Sequence, residues 1–74
     1  MRIKIKLFAT LRDGRDKILD NEYPEGTSIR RILEDLAIEE KDVAILLLNG
    51  RDTTLDQLPG EDDIISIFPP VGGG

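Results

Sequence analysis

From Arg2 to Phe8 the chain alternates, with Ile3, Ile5 and Leu7 on one parity and Arg2, Lys4, Lys6 and Phe8 on the other. A period of two is the mark of a strand with one buried face. Asp13-Gly14 is a turn dipeptide, and Lys17 to Glu22 can return as a second strand to close a hairpin, although its alternation is poorer. Pro24-Glu25-Gly26 then breaks the strand, and Thr27 or Ser28 stands where a helix cap is needed. Ile29, Ile32, Leu33 and Leu36 follow at helical spacing, which leaves Arg30, Arg31, Glu34 and Asp35 toward water. Arg30 and Glu34 stand four apart and can pair, but in the weaker orientation. Glu39-Glu40-Lys41-Asp42 reads as a solvated loop.

Val43 to Leu48 is an unbroken apolar run that ends at Asn49-Gly50, the pattern of a central strand followed by a tight turn. Leu55 and Leu58 fall in a short irregular segment before Pro59-Gly60. Ile64 to Phe68 forms the last strand, which Pro69-Pro70 ends by removing two backbone donors. The order is strand, strand, helix, strand, short connection, strand. It fits an α+β β-grasp arrangement, a mixed sheet of four to five strands wrapped on one main helix. The first and last strands are expected side by side in its middle, because Ile3/Ile5/Leu7 and Ile65/Ile67 both need the helix-covered face. Periodicity alone leaves other small α+β sheets open. The expected division is a folded domain over 1–70 and a flexible C-terminal glycine tail over 71–74.

Composition narrows the chemistry. The chain has 74 residues, no cysteine and no histidine, so one aliphatic core must stabilise it without disulfides. Metal-site, Ser/His and Cys/His readings lose their usual residues. Glu61-Asp62-Asp63 precedes a strand without the ligand spacing of a cation loop and reads as a solvated turn. The N-terminal stretch lacks an apolar signal core, and no run approaches membrane-spanning length, so a cytoplasmic location with no membrane partner is expected. Net charge is −5 and unevenly spread. Residues 1–17 carry six Lys/Arg against two Asp/Glu, whereas 18–74 carry four against thirteen. Such a chain is a poor nucleic-acid binder and suits docking on a protein of complementary charge.

The tail is the candidate site. Gly72-Gly73-Gly74 follows Phe68-Pro69-Pro70-Val71 and offers a thin thread ending in a carboxylate. Glycines without Cβ leave both sides of a terminal carbonyl open, and three extended residues reach only ~10 Å. Pro69-Pro70 favours an extended stem that aims the thread outward. Phe8 and Phe68 take the water-facing parity of their strands. With one parity set of the central strand, assigned to Ile45 and Leu47, they would make an apolar docking patch near the tail.

These segments carry a resemblance. Phe8-Ala9-Thr10-Leu11-Arg12 is similar to the Phe-Ala-x-Leu-Arg signature of the MoaD/ThiS family of ubiquitin-like sulfur carriers, in its molybdopterin-synthase branch. Phe68-Pro69-Pro70-Val71-Gly72-Gly73-Gly74 resembles that branch's closing Phe-Pro-Pro-Val-x-Gly-Gly. Gly26-Thr27-Ser28-Ile29 resembles the family's helix start, and Leu48-Asn49-Gly50 its central-strand turn. Gly72 departs from the pattern, which often has alanine or serine there; it keeps the tail thin and raises the cost of ordering it.

The resemblance implies a carrier, not an enzyme by itself. A separate E1-like adenylating enzyme would use ATP and Mg²⁺ to turn the Gly74 carboxylate into an acyl-adenylate, and sulfur would then convert it to a thiocarboxylate. The large catalytic subunit of molybdopterin synthase would receive that sulfur for the cofactor that holds molybdenum or tungsten. Gly72, Gly73, Pro69, Pro70, Phe8, Phe68, Ile45 and Leu47 would serve binding, and no cofactor or metal would be held directly. The alternatives are a ubiquitin-like modifier joined through Gly74 to target lysines, and a thiamine-pathway carrier. A plain binding module with inert glycines is the third kind of reading.

Overall fold

The computed structural model describes residues 1–70 of the chain. Five strands form one sheet: β1 Arg2–Leu7, β2 Ile18–Glu22, β3 Ile45–Leu48, β4 Arg51–Asp52 and β5 Ile64–Phe68. Their spatial order is β2-β1-β5-β3-β4, with the first and last strands adjacent and parallel in the middle. Every other pairing is antiparallel. One helix, α1 (Ile29–Asp35), covers one face of the sheet.

The core follows from the alternation. Ile3, Ile5 and Leu7 of β1 and Ile65 and Ile67 of β5 are fully buried, and they join Ile29, Ile32 and Leu33 of α1. Leu46 of β3 and Leu11 and Ile38 from the connections complete the set. No polar or charged residue is buried among the described residues. Apolar burial of this kind is the main favourable term for so short a chain.

Several local expectations are refined. Asp13-Gly14 is a tight turn, with Gly14 at φ 72° and the Arg15 amide donating to the Arg12 carbonyl at 2.9 Å, but the β1–β2 connection is more than that turn. It is a longer excursion that opens with a 3-10 helix, Ala9–Arg12, because Leu11 turns inward and is buried. Glu40–Asp42 forms a second 3-10 turn where a plain loop was expected. The apolar run Val43–Leu48 yields a strand of only four residues, since Ala44 and Val43 still serve the approach to the sheet. Asn49 and Gly50 both take positive φ, 53° and 84°, which is what a tight hairpin turn into β4 requires.

Ser28 is the helix cap: its side-chain oxygen accepts from the Arg31 amide at 3.2 Å. Thr27 instead donates its hydroxyl to the Pro24 carbonyl. The Arg30–Glu34 pair does not form. Arg30 reaches Glu40 at 2.8 Å and Asp56 at 3.2 Å, and Glu34 is met by Arg31. Tertiary neighbours thus displace the weak pairing within the helix. Arg15 closes the other end of α1 by donating to the carbonyls of Leu36 and Ala37. No helix among the described residues is long and apolar enough to cross a membrane.

Candidate functional site

The sheet's uncovered face is read directly from the register. Lys4 lies opposite Ile64 and Lys6 opposite Ser66, while Ile45 lies opposite Phe68 and Leu47 opposite Ser66. Phe8, Phe68, Ile45 and Leu47 therefore share one face, the one turned away from α1. Ile45 is 49% exposed, and the other three are half-buried. The parity assigned to Ile45 and Leu47 is the one the structure displays.

The two aromatics are fastened together. Their ring centroids lie 4.1 Å apart with 11° between planes, a stacked pair. The backbone reinforces it: the Phe8 amide donates to the Ile67 carbonyl at 3.3 Å, and the Phe68 carbonyl accepts from the Ala44 amide at 2.8 Å. β5 is thus held from both sides up to the residue before Pro69-Pro70. Pro69 is half-buried and Pro70 exposed, so the chain leaves the sheet at the edge of the patch. On the opposite side of this exit, Thr10, Leu11, Ile38, Pro69 and Pro70 line part of a groove of about 400 Å³. The tail expected over 71–74, with its binding glycines Gly72 and Gly73 and its reacting Gly74, lies outside the described residues.

Two neighbours of the patch were not singled out from the sequence. Arg12 places its guanidinium carbon 5.5 Å from the Phe8 ring centroid and donates from Nε to the Leu7 carbonyl at 2.9 Å. Ile18, 48% exposed, stands opposite Lys6 on the same sheet face. Its parity with Asp20 and Glu22 was the available signal. For Arg12 the signal was its place at the end of the Phe8–Arg12 motif, while its position over the ring depends on the path of the 3-10 helix.

Among the described residues Arg2, Arg30, Arg31 and Lys41 form ion pairs. The Arg2 guanidinium is held further above its ordinary value by the hydrogen bond it donates to Asp20 and by the charges of Asp20 and Glu22. Arg30 is raised likewise through its hydrogen bonds to Glu40 and Asp56. The acidic turn Glu61-Asp62-Asp63 serves the backbone. Asp63 accepts from the Gly60 amide at 2.7 Å and from the Asn49 side chain at 2.9 Å, and Glu61 accepts from the Arg2 amide. Among the described residues, no group of three or more Asp or Glu is placed to hold a metal ion.

The profile of the ThiS family matches residues 5–74, which takes in the second half of β1, the other four strands, the helix and the glycine tail. The chain belongs to the ThiS family. No curated protein sequence matches this ThiS-family member. Among solved structures, it is similar to a candidate molybdopterin converting factor, subunit 1, from Pyrococcus furiosus. The two are 28% identical over 96% of this chain and 99% of that one, with a TM-score of 0.78. SAMP1 from Haloferax volcanii is 23% identical, covers both chains fully and has a TM-score of 0.80. Subunit 1 in the complex of subunits 1 and 2 of the molybdopterin-converting factor from Helicobacter pylori is 20% identical over the full length of both, with a TM-score of 0.69. The last two likenesses speak for the fold alone: this ThiS-family chain is a β-grasp, ubiquitin-like domain.

Proposed function

We propose that this chain is the sulfur carrier of molybdopterin biosynthesis, and that Gly74 is its reacting residue. The observation that carries the reading is the family match running through residue 74, joined to an apolar patch at the point where the chain leaves the sheet. The likeness to the Pyrococcus protein favours the molybdopterin branch over the thiamine one. The chain performs no catalysis alone. It is the substrate of one partner and the donor to another, in the cytoplasm.

The chemistry needs an activated acyl group. A terminal carboxylate has an ordinary pKa of about 3.3–3.7, so it is ionised at neutral pH and resists nucleophiles. As a nucleophile itself, it attacks the α-phosphorus of ATP on an E1-like adenylating enzyme, with Mg²⁺ at the phosphates, and pyrophosphate leaves. A sulfur nucleophile, carried as a persulfide by a partner, displaces AMP from the acyl carbon. A thiol then attacks the partner's sulfur in the resulting acyl disulfide, breaking that S–S bond, forming a disulfide with the partner and releasing the Gly74 thiocarboxylate. The large subunit of molybdopterin synthase then takes the thread and its sulfur. Phe8, Phe68, Ile45 and Leu47 hold the partner while Pro69 and Pro70 set the direction of the thread.

Incubation with the cognate adenylating enzyme, ATP, Mg²⁺ and a sulfur source should raise the intact mass by the difference between sulfur and oxygen. A proven active partner that leaves the mass unchanged rules the carrier reading out. A modifier would form the same adenylate but pass it to a lysine amine. Peptide mapping from native cells for lysines bearing Gly74 distinguishes the two fates.

A further inference from the structure

We propose that the patch takes a protein partner with an acidic rim, one carboxylate of which sits on the guanidinium of Arg12 and a second opposite Lys6. The inference rests on the sulfur-carrier reading only for the identity of the partner.

Acidic residues outnumber basic ones, fifteen to ten, so no cation here lacks a partner for want of carboxylates. Arg2, Arg30, Arg31 and Lys41 form ion pairs, whereas Lys4, Lys6, Lys17 and Arg51 form none among the described residues and no side-chain hydrogen bond holds them in place. Arg15 is turned to backbone carbonyls. Arg12 differs. Its Nε is fixed by the Leu7 carbonyl and its plane lies beside the Phe8 ring, yet its terminal nitrogens meet no acceptor among the described residues. The side chain is exposed all the same. A guanidinium already held in one place loses little entropy on binding, and its paired N–H groups match the two oxygens of a carboxylate.

Lys6 precedes Phe8 on the same face of β1 and forms no ion pair among the described residues. The opposite flank of the patch is acidic, with Asp52 opposite Leu47 on β4. With Asp20 and Glu22 engaged by Arg2, the unpaired Lys6 and Arg12 on one side and Asp52 on the other give the surface a direction, so a partner with matching rims docks in one orientation. A polyanion such as a nucleic acid fits poorly, because Asp20, Glu22 and Asp52 share this face and the whole chain is at −5.

The test uses the intact chain and the E1-like adenylating enzyme encoded by the same genome, with affinity measured by calorimetry at low and high salt. Arg12→Glu should weaken binding by about tenfold or more and reduce its salt dependence. Arg12→Lys should recover part of the loss, since it keeps the charge without the fork. Lys6→Glu, a change on an open face, should weaken binding in the same direction and serves as the reading if Arg12→Glu does not fold. Affinity unchanged in a folded Arg12→Glu or in Lys6→Glu overturns this inference while leaving the carrier reading intact. Wild-type chain that neither binds the enzyme nor is adenylated by it overturns both. A wild-type dimer that Arg12→Glu dissociates, or oligonucleotide binding that it abolishes, overturns the inference in favour of a second copy or a nucleic acid.

Discussion

Phe8 stacks on Phe68 across the two central strands, 60 positions apart in the chain but 4.1 Å between ring centroids. Phe68 is the last residue before the prolines, so the stack fixes the base from which the tail departs. Under the proposed function, a partner that grips the stack would draw both binding energy and a fixed point of departure for the tail from the same pair of rings.

Phe8→Ala should lower both stability and docking. Loss of a stacked aromatic pair costs about 0.5–1.5 kcal/mol beyond the area lost. In a domain of this length the thermal midpoint should fall by about 4–8 °C for each kcal/mol. Thermal unfolding followed by circular dichroism, alongside partner affinity, checks this. A variant with both values unchanged would show that the stack has no role.

Ile65 and Ile45 sit on neighbouring strands but face opposite ways, and their truncation should separate folding from binding. Ile65 is 0% exposed, between Ile5 and Leu48 in the register. Its replacement by alanine should cost about 2–5 kcal/mol, a large part of the total for a small domain. Ile45→Ala, at a half-exposed site, should cost under about 0.5 kcal/mol while weakening the partner complex. Urea titration and a binding assay on the same two variants decide the matter.

Ser28→Ala removes the acceptor of the Arg31 amide at the start of a helix of only seven residues. The expected loss is about 1 kcal/mol, seen as a lower urea midpoint with an unchanged slope. Ser28→Asp should restore most of it, since a carboxylate accepts the same bond and favours the helix start.

Tyr23 should make stability fall at alkaline pH. Burial raises its phenol above the ordinary value of 10.0. The charge of Asp35 and the hydrogen bond to it add to the rise, while the bond from Asn21 opposes it. The folded chain thus keeps this proton to a higher pH than the unfolded one. The contribution is complete below the unfolded value and is lost as pH rises through the folded one. Tyr23→Phe should flatten that decline, as a comparison of urea midpoints between pH 9 and 11 would register (about one unit either side of a free tyrosine).

Much of the fold was legible because its signals are local. The alternation of Arg2–Phe8 and the spacing of Ile29, Ile32 and Leu33 state which side chains must be buried together. Asn49-Gly50 names its own turn. The face of Phe8, Phe68, Ile45 and Leu47 followed from strand parity, whereas the sulfur-carrier ending was read through its resemblance to the family. Other features escaped the sequence. Two residues, Arg51 and Asp52, are too few to show a period, so β4 had no pattern to read. The inward turn of Leu11 reshaped the first connection, and it depended on a space that only the assembled core provides.

What the residues alone settled was which surfaces are apolar and in what order they occur, because periodicity is written along the backbone. Only the tertiary structure decided which of those surfaces meet. The register that sets Leu7 beside Ile67 brings Phe8 to Phe68 and leaves Arg12 over the ring. It is also the folded chain that gives Arg30 to Glu40 and Asp56, not to Glu34. Contacts between distant segments depend on loop paths and on competition among charges, and neither is encoded in the spacing of residues along a strand or helix.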